Sequence, residues 1–212
     1  GCEQPPQWHP EGDVFVHTRL MLELLPAEVS LPLVLSVLFH DIAKPATFTR
    51  DETGRIRFNG HDMLGAAMTE KILKRLKFPN DIIGPAVVAV ENHMTFKDVQ
   101  KMRVSKLKRF MARPTFEDEM ELHRVDCMSS NGLTENYDYL REKQAEFARE
   151  PQPLIPQPLV TGHDLITMGQ APGPQFRELL TAVQNLQLEG TITTREQALD
   201  WLRQQTTDPS PP

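Results

Sequence analysis

A chain of 212 residues with 39% hydrophobic and 25% charged residues is long enough for one soluble globular domain and a small second module. Its formal net charge of −6 excludes a protein whose whole surface binds nucleic acid, although it allows a local basic stripe. Two cysteines exclude a disulfide scaffold, and without a signal-like N-terminus or a membrane-length apolar run the sequence predicts a cytoplasmic protein with no membrane partner.

Apolar periodicity predicts helices along the first two thirds of the chain. Residues 14–25 carry apolar side chains on one face, and residues 33–43 are apolar almost all round, which is typical of a central buried helix. A polar turn within residues 44–60 predicts a loop or short hairpin over a pocket. Further helices are predicted at residues 61–77, 81–93, 115–130 and 134–149, with a short basic helix, capped by Ser105, within 97–113.

A proline-rich segment then separates this region from a smaller one. The smaller region predicts a short helix and two further helices, the last opened by a capping box in which Thr194 is followed by Gln197. The sequence therefore predicts an all-α protein. We expect a helical domain over residues 1–149, a linker over 150–158, a small helical tail module over 159–205 and disorder over 206–212.

Several histidines stand at the ends or on the apolar faces of these helices, close to carboxylates. His40 is followed by Asp41 at the end of the most apolar helix, and burying such groups costs free energy unless they are paired or hold a metal. Imidazole and carboxylate ligands suit a divalent ion such as Mn, Fe, Co, Ni, Zn or Mg, and the lack of paired cysteines argues against a thiolate zinc site. The candidate metal ligands are His17, His40, Asp41, His61, His93 and Asp126.

The order of a histidine, a His-Asp pair and a later aspartate resembles the HD superfamily of metal-dependent phosphohydrolases. The family's ligands come from different helices, so the resemblance implies an all-α HD-domain helical bundle with a small helical C-terminal module. It further implies that His17, His40 and Asp126 hold one ion. Asp41 would bridge this ion to a second one, as the family carboxylate does.

His61 and His93 decide between one ion and two. The resemblance to members with two metals implies that these histidines hold the second ion, and that the pair of ions activates water beside a phosphoryl group. The alternative is structural, with His61 in the first turn of a helix and His93 at a helix end that favours it electrostatically.

The other histidines receive structural interpretations. His9 is interpreted as a structural residue of a loop, and His123 as a core or supporting residue on the helix face of Asp126. His163 also precedes an aspartate, but it begins a helix after the linker, so we interpret it as part of a capping feature.

Longer motifs indicate which family within this superfamily the sequence resembles. HPEGDVFVHT, LFHDIAKP, GHDMLGA, VENHM and LHRVDCMSS, followed by LVTGHDLITMGQAPGPQFRELL, strongly resemble the C-terminal half of the bacterial tRNA nucleotidyltransferase and poly(A) polymerase family. The resemblance covers most of residues 9–203. The strand-borne carboxylate pair of that family's catalytic head does not appear, so we expect no nucleotidyl transfer by the chain alone. The resemblance implies either the neck-to-tail region of such an enzyme, with an N-terminal nucleotidyltransferase head outside this chain as a partner, or a stand-alone descendant of that region.

Two functions remain open at this point. One is a phosphohydrolase acting on a phosphomonoester or phosphodiester of a small molecule or nucleotide, with Asp41 and Lys44 as catalytic residues and Arg19 and Lys44 binding phosphate. The other is a non-catalytic module that binds tRNA or another RNA and keeps a vestigial or structural HD site. Its candidate contacts lie in a basic stripe formed by the lysines and arginines of residues 97–113, and they are Lys106, Lys108 and Arg109.

Overall fold

The computed structural model describes residues 1–207, which fold into helices joined by short connections. The predicted all-α class is confirmed. The helices are α1 (Val14–Leu24), α2 (Leu31–Phe39), α3 (Lys44–Thr47), α4 (His61–Arg75), α5 (Asn80–Asn92), a 3₁₀ helix (His93–Lys101), α6 (Val104–Met111), α7 (Phe116–Ser129), α8 (Glu135–Phe147), α9 (Gly162–Thr167), α10 (Pro174–Leu188) and α11 (Arg195–Thr207). Within these described residues one sheet is found, a pair of two-residue strands.

The chain forms two compact units. The first comprises residues 1–101 and 113–143, and the second comprises residues 102–112 and the chain from residue 144 onward. Helix α6 belongs to the second unit together with the tail, and the domain boundary at the proline-rich segment stays a prediction. The Ser105 hydroxyl donates to Glu189 Oε1 at 2.7 Å, and Arg109 donates to Gln184 Oε1 on α10 at 3.0 Å.

Helices α1, α2, α5 and α7 enclose the main core of the first unit. Its buried side chains are Met21, Leu33, Val37, Ala89, Leu122 and Val125. Helix α4 packs closely on this group of helices at Gly65. A Cβ there would lie 3.4 Å from Val90 Cγ1 and 3.6 Å from the His40 carbonyl oxygen, in van der Waals contact, so only a side chain longer than that of alanine would push α4 away from the end of α2.

Helix ends follow from local chemistry. The Asp13 carboxylate accepts from the Val16 amide at 2.9 Å and begins α1, and the Ser30 hydroxyl accepts from the Leu33 amide at 3.1 Å and begins α2. Helix α2 ends at Phe39, four residues before its predicted end, since residues 40–43 form turns. The predicted cap at Ser105 is wrong: α6 begins at Val104, and the Ser105 hydroxyl bonds Glu189 instead.

The hairpin expected within residues 44–60 is present. Strand β1 (Thr49–Arg50) pairs antiparallel with β2 (Ile56–Arg57). The Asp51 carboxylate accepts from the amides of Thr53 and Arg55, both at 3.0 Å, and thereby closes the turn.

The second unit has its own core. Helices α9, α10 and α11 bury Val160, Leu165, Val183, Ile192, Ala198 and Leu202. The predicted capping box is confirmed, because Thr194 N donates to Gln197 Oε1 at 3.2 Å and Gln197 N donates to Thr194 Oγ1 at 3.3 Å. Helix α11 extends to Thr207, and the rest of the segment predicted to be disordered, residues 208–212, lies outside the described residues.

Among residues 1–207, no helix combines the length and the apolar character that crossing a membrane requires.

Candidate metal centre

The structure brings the six candidate ligands together within the first unit. The His17, His40, His93 and His61 rings follow one another, with centroid separations of 5.4, 5.4 and 5.0 Å. The six residues come from the middle of α1, the end of α2, the first turn of α4, the end of α5 and the last turns of α7: His17, His40, Asp41, His61, His93 and Asp126. Asp126 is half-buried and the others are buried.

Carboxylates stand among the ring nitrogens. His17 Nε2 lies 3.1 Å from Asp126 Oδ1, and His40 Nε2 lies 3.2 Å from Asp41 Oδ2. The other oxygen of Asp41 lies 3.5 Å from His61 Nε2. It also lies 3.9 Å from His93 Nε2. Asp41 thus stands between two sets of imidazoles, where one carboxylate can contact two ions.

Backbone carbonyls fix the orientation of three rings. The Nδ1 atoms of His40, His61 and His93 lie 2.9, 2.7 and 2.6 Å from the carbonyl oxygens three residues earlier in the chain. A carbonyl oxygen accepts only, so each Nδ1 carries the hydrogen, and in the neutral ring Nε2 keeps its lone pair. This arrangement of a held Nδ1 and a free Nε2 is the usual one in histidines that bind metals.

The donor set fits divalent ions. The Nε2 atoms of His17 and His40 are buried and lack an aligned hydrogen bond to any group in the described part of the chain. The Nε2 atoms of His61 and His93 face each other at 3.0 Å. Adjacent ligands of one ion, each about 2.1 Å from it, lie about 3 Å apart, so a shared cation relieves the repulsion between two facing lone pairs.

The electrostatics favour the forms that bind metals. Burial raises the pKa of Asp41, but the charges of His40 and Lys44 outweigh it and hold this pKa well below its usual range. Burial lowers the pKa of His61, and burial together with the charge of His40 lowers that of His93 to about 4. Near neutral pH Asp41 is therefore ionised, and His61 and His93 are neutral.

Asp126 follows this pattern, whereas His40 has to release a proton before its Nε2 can bind a metal. Burial lowers the pKa of His40, but the Asp41 carboxylate outweighs it and the pKa of His40 is raised. Burial raises the pKa of Asp126, while the contact with His17 and the charge of His40 bring it below its usual range. Asp126 is thus an anion beside His17, ready to bind a cation.

The two cationic residues predicted to bind phosphate differ in position. Lys44 is buried, and its Nζ lies 2.6 Å from Asp41 Oδ2 and 2.6 Å from Gln4 Oε1. Arg19 lies on the exposed side of α1, where its side chain is 60% exposed and Nε stands 3.6 Å from the Glu23 carboxylate. The structure therefore places Lys44 in the cluster and leaves Arg19 outside it, so the phosphate contact of Arg19 stays a prediction.

The segment before α1 supplies residues that the sequence analysis missed. Glu11 Oε1 lies 2.9 Å from His9 Nδ1 and 2.7 Å from His17 Nδ1. Gln4 reaches Lys44 as described, and neither Gln4 nor Glu11 was predicted to belong to the site. His9 was interpreted as structural, but its ring centroid lies 4.8 Å from that of His17. The sequence held one signal for Glu11, because this residue lies two positions before Asp13, which caps the helix that carries His17.

The remaining histidines do not join the cluster. His123 stacks on Phe96 with the ring centroids 4.8 Å apart, as a core residue does. His163 is exposed, and its neighbour Asp164 accepts from the Thr161 amide at 2.7 Å at the start of α9. The interpretation of this second His-Asp pair as a capping feature agrees with these contacts.

The predicted RNA contacts differ in how accessible they are. Lys108 is buried, its Nζ lies 2.6 Å from the Glu150 carboxylate and it packs over the Phe147 ring. Arg109 is half-buried and bonded within the second unit, whereas Lys106 is exposed. The stripe is therefore less free than the sequence indicates, and its contact with RNA stays a prediction.

A buried group of imidazoles and carboxylates supplied by several helices could hold divalent ions inside a helical domain. The family model described as HD domain matches residues 14–130, and the chain belongs to this family. The match spans all six candidate ligands, and the resemblance stated from the sequence is confirmed.

Curated relatives refine this result. The chain is 32% identical over 198 residues to an A-adding tRNA nucleotidyltransferase of Deinococcus radiodurans, covering 88% of the chain and 45% of that protein. It is 29% identical over 206 residues to a CC-adding tRNA nucleotidyltransferase of Thermus thermophilus, covering 95% of the chain and 45% of that protein. The chain thus spans less than half the length of these relatives. No solved structure matches it.

Proposed function

We propose that the first unit is a metal-dependent phosphohydrolase that cleaves a phosphomonoester or phosphodiester. The observation that supports it most is the facing pair of Nε2 atoms at 3.0 Å beside the Asp41 carboxylate. A purely structural cluster would pair such buried donors and acceptors with one another. Here the lone pairs converge, which is unfavourable without a cation.

Two groups of ligands that share Asp41 would hold two ions. A divalent ion bound there supplies Lewis-acid chemistry, lowering the pKa of water and neutralising charge on a phosphoryl group. The groups are His17, His40, Asp41 and Asp126 for one ion, and Asp41, His61 and His93 for the other.

Residues of the chain supply the charges and the environment around the ions. Asp41 brings negative charge and stays ionised through its contacts with His40 and Lys44. Lys44 Nζ, held between Asp41 and Gln4, places a positive charge where it can contact a phosphoryl oxygen. The low exposure of the histidines limits water around them, so these charges act in a medium of low dielectric constant.

The relatives give this activity a setting. Both long matches are named as tRNA nucleotidyltransferases, so we propose that the hydrolase acts in tRNA 3′-end metabolism, beside a nucleotidyltransferase head. A cytoplasmic location belongs to the same proposal.

A second candidate function is RNA binding without hydrolysis. The exposed side chain of Lys106 on α6 favours it, and the same relatives favour tRNA as the ligand. RNA binding that weakens with salt and that Lys106→Glu reduces further would support this candidate. Hydrolysis by the metal-loaded chain would contradict this candidate, because the HD site would then be catalytic.

The test uses the full 212-residue chain, stripped of metal and reloaded with Mn²⁺, Co²⁺, Ni²⁺, Zn²⁺ or Mg²⁺. Substrates are p-nitrophenyl phosphate, its bis ester and a 2′,3′-cyclic nucleotide. We expect hydrolysis by the reloaded chain and its loss in Asp41→Asn. The matched control is Asp81→Asn, which changes an exposed carboxylate in the first turn of α5 and leaves the rate unchanged. No hydrolysis with any of these ions contradicts the proposal.

A further inference from the structure

We infer that Glu11 is a positioning residue that holds His17 in the orientation needed to bind a metal ion. Glu11 lies in the irregular segment before α1, outside the six candidate ligands and outside the matched HD region. Its side chain is 7% exposed, and its Oε1 lies 2.7 Å from His17 Nδ1. The opposite nitrogen of the same ring, Nε2, faces Asp126.

The turn between Glu11 and α1 fixes the position of this carboxylate. Gly12 has a φ of +130°, a conformation that disfavours any residue with a Cβ. Asp13 follows at once and caps α1 through the Val16 amide. Because the cap and the turn are adjacent, Glu11 is held against the first turns of α1, which carry His17.

Two acceptors flank His17 Nδ1. Besides Glu11 Oε1, Ser129 Oγ lies 3.2 Å away, and this hydroxyl donates to the Asp126 carbonyl oxygen at 3.0 Å. Since the hydroxyl hydrogen is used there, Ser129 Oγ accepts from Nδ1. Both neighbours therefore favour a hydrogen on Nδ1, and a cation bound by Nε2 and Asp126 would take the place of a hydrogen on Nε2.

Glu11 differs from the acceptors of the other rings in its charge. Of the four described ligand histidines, His17 has a carboxylate at Nδ1, whereas His40, His61 and His93 have backbone carbonyls. A carboxylate that accepts the Nδ1 hydrogen increases the electron density of the ring more than a neutral carbonyl does, and this makes Nε2 a stronger donor to a metal. His17 is thus the candidate ligand whose Nδ1 is held by a side chain rather than by a backbone carbonyl.

The burial of the Glu11 side chain supports this role for its carboxylate. A buried carboxylate costs free energy unless donors surround it. Glu11 Oε1 contacts His9 Nδ1 as well as His17, but the other oxygen, Oε2, is buried and finds no hydrogen-bond donor among the residues that the structure describes. Burying a neutral side chain would cost less free energy, so we infer that the negative charge of Glu11 acts on the neighbouring rings of His9 and His17. His9 holds the carboxylate from the other side.

The inference rests on the proposed metal site but not on hydrolysis, so the two are tested by different readouts. Co²⁺ affinity and the Co²⁺ ligand-field spectrum of the full chain report on His17 whether or not the protein cleaves any ester. Failure to hydrolyse with intact Co²⁺ binding counts against the proposed function and leaves the inference standing.

The experiment is a double-mutant cycle on Co²⁺ binding with Glu11→Ala, His17→Ala and the double variant. We expect Glu11→Ala to weaken Co²⁺ binding about 10- to 100-fold and to alter the spectrum, as loss of a supporting residue does. In the His17→Ala background the same change has no further effect, because Glu11 acts through His17. The control Glu3→Ala, which removes an exposed carboxylate paired with Arg50, binds Co²⁺ as the unchanged chain does.

Glu11→Gln guards against a variant that merely fails to fold. Its amide oxygen remains an acceptor near Nδ1, so we expect Co²⁺ affinity between those of the unchanged chain and Glu11→Ala, with an unaltered far-UV spectrum. Three results would overturn the inference: unchanged affinity in Glu11→Ala, an equal loss in the His17→Ala background, or no Co²⁺ binding by the unchanged chain. The second of these would show that the carboxylate acts by charge alone.

Discussion

The Nε2 atoms of His61 and His93 face each other at 3.0 Å, while a backbone carbonyl holds the Nδ1 atom of each ring. Both rings have lowered pKa values, so neither supplies a hydrogen to the contact near neutral pH. Two lone pairs directed at each other repel, and a shared cation turns this repulsion into chelation.

The first prediction concerns metal binding by this pair. Saturating Mn²⁺ or Co²⁺ raises the thermal unfolding midpoint of the chain, since a ligand at 100 times its Kd adds about 2.7 kcal/mol to the free energy of unfolding. His61→Ala and His93→Ala each lower the bound metal by one ion per chain in equilibrium dialysis. The control His163→Ala removes an exposed histidine of α9 and leaves the metal content unchanged. An unchanged metal content in both cluster variants would rule out this pair as ligands.

The second prediction separates the roles of Lys44 and Asp41. Lys44→Met removes a positive charge 2.6 Å from Asp41 Oδ2, so metal binding stays as tight or becomes a few-fold tighter. Hydrolysis falls at least about tenfold in kcat/KM, because a charge that contacts the phosphoryl group is lost. Isothermal titration and steady-state kinetics measure the two effects. Lys71→Met, at an exposed position on α4, is the control. Metal binding that falls together with the rate would contradict this separation.

Residues that are positioned by local helix signals can be predicted from the sequence, whereas residues that are positioned by tertiary contacts cannot. Helix periodicity and helix ends are local, so the helices that carry His17, His40 and Asp126 are predictable from spacing, and the resemblance supplies their grouping. Glu11 and Gln4 come from an irregular segment whose path depends on tertiary contacts, so no periodic pattern points to them.

The contacts of α6 could not be predicted from the sequence for a related reason. Ser105 has the chemistry of a helix cap, but its hydroxyl bonds Glu189, which lies 84 residues away in the chain. Arg109 is half-buried and donates to Gln184 on α10. One cation of the basic stripe is therefore engaged in a contact within the second unit, although the sequence pattern does not indicate this. Long-range partners of this kind have no local signature.

The third prediction concerns the pH dependence of the metal-free chain. The pKa of His93 is lowered from 6.5 to about 4 in the fold, so the unfolded chain takes up this proton first as the pH falls. Stability contributed by neutral His93 is therefore present above pH 6.5 and is lost as the pH falls towards 4. His93→Gln lessens this loss in urea unfolding measured between these two pH values. His163→Gln keeps it, and equal slopes for all three proteins would contradict the prediction.

The fourth prediction distinguishes the second His-Asp pair from the first. Asp164 accepts from the Thr161 amide and pairs with Arg195, and these partners lower its pKa. Asp164→Ala therefore destabilises the second unit by about 1 kcal/mol, a typical value for the loss of a helix cap. Hydrogen exchange of α9 measures this change, while Co²⁺ affinity stays the same. Asp200→Ala, which breaks an exposed ion pair with Arg203, has a smaller effect. A loss of Co²⁺ affinity in Asp164→Ala would refute the structural assignment.

The most direct measurement follows phosphodiester hydrolysis by the chelator-stripped chain as Mn²⁺ is added back, with bound metal determined in the same samples. The proposed hydrolase predicts that the rate rises with the second ion bound per chain and that His61→Ala, which keeps one ion, stays near the stripped level. A rate that is independent of bound metal, or absent from a chain carrying two ions, would contradict it.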